Sequence, residues 1–136
     1  MTMADEYALR VIGYIHSELR DPGAAPKQGT EGAPDAWLDL APYAVPAARG
    51  LRIGQRLIVI SWLHRADRDL LAVHPRDDAR NPLTGVFATR SADRPNPLGL
   101  HRVTIREIDG GRLRIGPIEA VDGTPIVDLK IDLDQP

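Results

Sequence analysis

The stretch GVFATRSADRPNPLGL, residues 85–100, sets Arg90, Ser91, Asp93, Arg94 and Asn96 around two prolines. Each proline fixes its own φ and pushes the residue before it toward extended backbone. Arg94 precedes Pro95 and Asn96 precedes Pro97, so both side chains are pre-aimed at little entropic cost. A guanidinium is a planar fork for carboxylate or phosphate, and an amide offers a donor beside an acceptor. Gly99 admits the close approach of a backbone or a ligand. Two readings follow: a turn built to bind an anion, or a stiff turn whose arginines pair with structural carboxylates. A second cluster, VDGTPIVDLK, holds Asp128 and Lys130 at a spacing of two, which puts both on one strand face. They form either a proton-transfer pair or a surface ion pair, and spacing alone favours the ion pair. His64, after the most apolar run, suits a core or rim position. Together with His16, His74 and His101 it shows no metal-ligand spacing, and no metal is expected. Walker A, GxGxxG, GxSxG and cysteine nucleophiles are all absent from the sequence.

These residues need short strands to position them. QRLIVISWLH (55–64) predicts a buried central strand. A strand is expected near residues 9–15, others over 36–42 and 69–75, and one over 85–90 leading into the arginine turn. A brief helix is expected over 45–51, with Pro46 near its start and Gly50 near its end. LHRVTIREI (100–108) and RLRIGPIEAV (112–121) alternate apolar with charged residues about Asp-Gly-Gly, a hairpin signal, and Gly116-Pro117 marks a bulge or strand end. PIVDLKI (125–131) supplies a last strand. Residues 20–37 form a loop too long for a passive connection, and residues 76–84 form another. The sum is six to eight short strands in an all-β fold. A single domain over 1–136 is expected, a small antiparallel or mixed barrel with short helices and long loops.

Composition agrees. The chain has 136 residues, 12 glycines, 12 prolines, 4% aromatics, no cysteine and a net charge of −2. One turn-rich domain without disulfides or thiolate metal sites follows. No apolar run reaches the roughly 18 residues of a membrane span, and the start lacks a signal-peptide pattern, so a cytoplasmic protein is expected. The acidic balance requires any RNA partner to be met by a local patch.

GVFATRSADRPNPLGL followed by VDGTPIVDLK resembles the signature of the YaeB/TsaA-like family, also called the TrmO family: GVFATRSPxRPNPIGL, then DGTPxxDIK. GLRIGQRLIVISWLH and RVIGYIHS extend the likeness over nearly the whole chain. The resemblance implies a β-barrel S-adenosylmethionine-dependent methyltransferase acting on N6 of threonylcarbamoyl-adenosine next to the tRNA anticodon, typically as a homodimer. By matching positions it implies cofactor contacts at Arg90, at His64 and Arg65, at Leu100, and along Pro117, Ile118, Glu119 and Ala120. Pro26, Lys27 and Gln28 match a loop PRQ, with lysine for arginine. In place of the family's Pro-Tyr after DIK, DLK runs into IDLDQP, and no additional C-terminal domain is expected. The mid-chain FSH of the family is here Ile53-Gly54-Gln55.

Transfer to a doubly conjugated nitrogen benefits from a base. Asp128 is the candidate base, oriented by Lys130, with Arg94 and Asn96 holding the acceptor's carboxylate or phosphate. Two alternatives stand beside tRNA methylation: a same-fold methyltransferase of a small nitrogen-containing metabolite, and a non-catalytic RNA-binding barrel.

Overall fold

The computed structural model describes residues 5–21 and 32–135. Among the described residues eight strands are formed: β1 (Gly13–His16), β2 (Ala36–Leu40), β3 (Arg56–Trp62), β4 (Ala72–Val73), β5 (Thr84–Gly85), β6 (Leu98–Asp109), β7 (Arg112–Gly116) and β8 (Pro125–Ile131). Six of them close into a barrel in the order β1-β2-β7-β6-β3-β8, while β4 and β5 form a separate two-stranded sheet. Every pairing is antiparallel. Period-two patterning explains closure. Leu57 and Val59 of β3, Val103 and Ile105 of β6, and Leu113 and Ile115 of β7 all turn inward to one core with Ile15, Leu38, Ile118 and Ile126. No helix among the described residues is long and apolar enough to cross a membrane.

Several elements differ from expectation. The first strand is Gly13–His16 rather than 9–15, and β4 covers only Ala72–Val73 of 69–75. Residues 42–48 form a 3-10 helix with Pro46 inside it, in place of a helix over 45–51. The strand expected over 85–90 stops at Gly85, and Val86–Ala88 turn as a 3-10 helix. Thr89 explains the turn, because its hydroxyl donates to the Val86 carbonyl at 2.9 Å and competes with a sheet ladder.

The β3–β8 register shifts between Ile60 and Ser61. Ser61 pairs with Ile126 and Ile60 with Asp128, which leaves Val127 as a bulge. Ile126 points inward, yet beyond the bulge it is Leu129 that faces the core, opposite Val59. Asp128 and Lys130 therefore share a face, as their spacing requires, and that face is the outside of the barrel.

Gly116 ends β7 where the chain turns into the 117–124 segment through a cis bond to Pro117. A Cβ there would lie 2.8 Å from the Asp35 Cα and would also strike the Asp35 carboxylate. Gly116→Ala should lower stability by about 1–3 kcal/mol, the usual cost of overpacking. Urea denaturation followed by tryptophan fluorescence should show the midpoint fall with little change in slope.

Candidate functional site

The described residues enclose a cleft of about 560 Å3 at one end of the barrel. Four stretches of chain build it: the exit of β3 (63–66), the β4–β5 hairpin with its connecting loop (73–77), the arginine turn with the start of β6 (88–101), and the 119–124 segment before β8. That size falls within the ~300–1,000 Å3 of ordinary small-molecule sites.

The arginine turn is stiffened by its own side chains. Arg94 Nη2 donates to the Val86 carbonyl and, at 2.9 Å, to the Thr89 carbonyl. Its Nε is buried without a partner. Ser91 N donates to Thr89 Oγ1 and Asp93 N to Ser91 Oγ, both at 3.1 Å. From the other side, Arg68 Nε donates to the Pro95 carbonyl at 2.7 Å, with its guanidinium 5.0 Å from the centroid of the Trp62 ring. Asp93 Oδ1 accepts the Asp67 amide at 2.8 Å and ties the turn to the exit of β3. The stiffness foreseen from the prolines is present, and the partners of Arg94 are backbone carbonyls rather than carboxylates.

Arg90 is the counterpart. It lines the cleft, is exposed, and has no partner among the described residues. His64 is likewise unpartnered there, and Arg65 donates to the Arg20 carbonyl at 3.0 Å. The cleft also takes in Leu100, Glu119 and Ala120. Ile118 is instead fully buried in the barrel core, and neither it nor Pro117 lines the cleft. Asn96 is exposed outside the lining and accepts from Arg68 Nη2 at 3.5 Å. Asp128 and Lys130 also lie outside it, 3.8 Å apart, with side chains 53% and 65% exposed. Pro26, Lys27 and Gln28 lie outside the described residues.

Two positions that sequence reasoning passed over matter. His101 sits at the cleft floor, 4% exposed, with Nδ1 2.6 Å from Glu119 Oε1 and Nε2 2.7 Å from Ser61 Oγ. A signal existed, because His101 shares parity with Gly99, Val103 and Ile105, so strand alternation turns it inward. Its pairing with Ser61 and Glu119, 40 and 18 residues away, had no local signature. Gly99 closes this cluster, since a Cβ there would strike Ser61 Oγ and lie 2.8 Å from His101 Nε2. Beyond the cleft, the Arg80 side chain and amide hold the Asp78 carboxyl below its usual range. Among the described residues no three His, Asp or Glu side chains gather as a metal site requires.

The cleft's formal charge is close to neutral. Its lining holds four arginines (Arg65, Arg76, Arg90, Arg94) against three carboxylates (Asp77, Asp93, Glu119), 4 − 3 = +1, besides histidines. Apolar walls come from Leu63, Leu98, Leu100 and Val121. The arrangement can hold a mixed ligand, with a carboxylate on Arg90, donors on Glu119 and a flat apolar ring between.

The chain is 40% identical over 122 residues to a probable S-adenosyl-L-methionine-binding protein of Archaeoglobus fulgidus, a match spanning 90% of this chain and 33% of that protein. A probable S-adenosyl-L-methionine-binding protein of Methanothermobacter thermautotrophicus is 35% identical over 125 residues, covering 92% of this chain and 89% of its own length. Among solved structures, TrmO from Pseudomonas aeruginosa superposes with a TM-score of 0.75 at 31% identity, over 95% of this chain and 57% of that one. The chain thus spans a third of the Archaeoglobus relative and little more than half of the solved structure. The family model described as the tRNA-methyltransferase O N-terminal domain matches residues 14–134, from β1 past the end of β8, and the chain belongs to that family.

Proposed function

We propose that this chain is an S-adenosylmethionine-dependent N-methyltransferase that binds its cofactor in the barrel-end cleft and methylates N6 of threonylcarbamoyl-adenosine in tRNA, in the cytoplasm. The observation that carries the reading is the convergence of Arg90, His64, Arg65, Leu100, Glu119 and Ala120 on one cleft from three separate stretches of chain. Family membership and the names of its relatives support the cofactor and the reaction class.

The residues present suit the cofactor. Arg90, with no partner among the described residues, matches a carboxylate, and Glu119 matches hydroxyl or cationic groups. Leu63, Leu98, Leu100 and Val121 shed water around a nucleoside. When bound, the cofactor supplies a methyl group already activated on sulfur. The chain's part is to align the acceptor, exclude water and receive the proton that a doubly conjugated nitrogen must lose. Asp128 is the proposed proton acceptor with Lys130 beside it. Asp128 lies outside the cleft lining, so that role requires the bound substrate to set its acceptor nitrogen within hydrogen-bond reach of the outer face of β8 while the same nitrogen faces the methyl donor. Arg94 holds the turn that presents Arg90, and Asn96 is proposed to meet acceptor phosphate at the rim. The near-neutral cleft favours a second reading, methylation of a small nitrogen-containing metabolite. We also propose a homodimer, formed through the apolar Leu71 and Leu83 of the β4–β5 hairpin and Phe87 (83% exposed) of the 3-10 turn that follows it.

Isothermal titration in chelator should show S-adenosylmethionine binding near one per chain. Arg90→Ala should weaken it by about ten- to a hundred-fold, the loss of one charge-assisted hydrogen bond of about 1.5–3 kcal/mol, and leave thermal stability intact. Arg94→Ala should lower stability as well. No binding at millimolar cofactor would overturn the enzymatic reading. With tRNA carrying threonylcarbamoyl-adenosine, Asp128→Asn should keep cofactor affinity and lose roughly 10²–10⁴ in turnover. An equally active variant removes Asp128 from the mechanism, and methylation of metabolites alone selects the second reading. Analytical ultracentrifugation should find a dimer that Phe87→Asp converts to monomer.

A further inference from the structure

We infer that Glu119 supplies the cleft's ligand-accepting carboxylate and that buried His101 and Ser61 are its positioning residues. The inference rests on the cofactor reading above.

The chemistry of the three groups sets the direction of the chain. A carboxylate only accepts, so His101 Nδ1 carries a proton and donates to Glu119 Oε1 at 2.6 Å. In the neutral ring Nε2 is then an acceptor, and the Ser61 hydroxyl, 2.7 Å away and 0% exposed, donates to it. The order serine, histidine, carboxylate is that of an acyl-transfer triad, but Ser61 is sealed from the cleft and Gly99 packs directly on its Oγ. No substrate reaches the hydroxyl, so the chain acts outward, on the carboxylate.

Glu119 is the member that faces the ligand. It lines the cleft with a side chain 17% exposed, and only its Oε1 has a partner among the described residues. Withdrawing a carboxylate from water costs free energy unless its lone pairs are met. His101 meets one oxygen, and a donor or cationic group of a bound ligand would meet the other. The cleft's other carboxylates are held differently. Asp93 accepts a backbone amide, and Asp77 stands exposed at the rim with a partner of its own. The buried imidazole restricts Glu119 to one rotamer before the ligand arrives, which lowers the ordering cost of binding. Two strands supply that support: Ser61 pairs with Gly99 across β3 and β6, and His101 lies two residues farther along β6.

Calorimetry with S-adenosylmethionine and S-adenosylhomocysteine tests this, with thermal denaturation in parallel. Glu119→Gln should weaken binding by ten- to a hundred-fold. Two substitutions at His101 separate positioning from packing. In His101→Asn the amide nitrogen stands in for Nδ1 and keeps the bond to Glu119. In His101→Gln the amide oxygen stands in for Nε2 as the acceptor and keeps only the bond from Ser61. His101→Asn should bind within a few-fold of wild type. His101→Gln should weaken as much as Glu119→Gln, and the double variant should be no weaker than the worse single, because the residues act as one unit. A loss confined to S-adenosylmethionine would identify the sulfonium as the group that Glu119 meets, and an equal loss on both ligands would identify a group they share. If the wild-type chain binds neither ligand, the cofactor reading and this inference fall together. If it binds and Glu119→Gln binds equally well, or the two His101 variants bind alike, this inference alone falls.

Discussion

The ladder between β3 and β6 is the interaction on which the rest depends. Seven consecutive pairs run from Arg56↔Thr104 to Trp62↔Leu98. Its inner face delivers Leu57, Val59, Val103 and Ile105 to the core. Its far end delivers Gly99 and His101 to the cleft floor, with Ser61 buried behind them, without a break in period. Because β6 begins inside the arginine turn, at Leu98, the turn is anchored to the barrel rather than carried on a free loop. The Leu63 amide, bonded to the Pro97 carbonyl at 2.8 Å, continues the ladder one step past the strands and aims His64 and Arg65 at the same cleft. A site so mounted inherits the rigidity of the core, and alignment for a displacement requires that.

Charged side chains pair along the barrel wall. Arg112 bonds Asp39 at 2.6 Å, Arg114 bonds Asp35 at 2.9 Å and Glu107 at 2.8 Å, and Arg102 bonds Asp132 at 3.1 Å. Partly exposed pairs of this kind add little stability, about 0–1 kcal/mol each. They do link neighbouring strands, as Arg112 and Asp39 do across β7 and β2. Against that background Arg90, which has no partner among the described residues, and a supported Glu119 in the same cleft stand out, and net charge alone says nothing about the cleft.

The two arginines of the RSADRP motif divide the labour that the sequence left open. Arg94 is consumed by backbone carbonyls, and Arg90 has no partner among the described residues. Neither arginine pairs with a carboxylate there: Arg94 stiffens the turn through backbone carbonyls, and Arg90 is the one that stays open toward the cleft. The choice turned on where a 3-10 turn at Val86–Ala88 exposes its carbonyls, which no local pattern announces.

By itself the sequence determined the fold class and the parity of most strands, because alternation at Val103, Ile105, Leu113 and Ile115 admits one buried face. It also determined the family, through two long motifs in order, and the stiffness of the turn, through Pro95 and Pro97. Tertiary structure decided which residues meet. A single bulge at Val127 sent Asp128 and Lys130 to the outer face, since one inserted residue reverses the parity of everything beyond it. Barrel closure brought Ser61, His101 and Glu119 within hydrogen-bond reach from three separate places in the chain. Spacing along a strand says which side chains share a face. Only the pairing of strands says which face it is and what stands opposite.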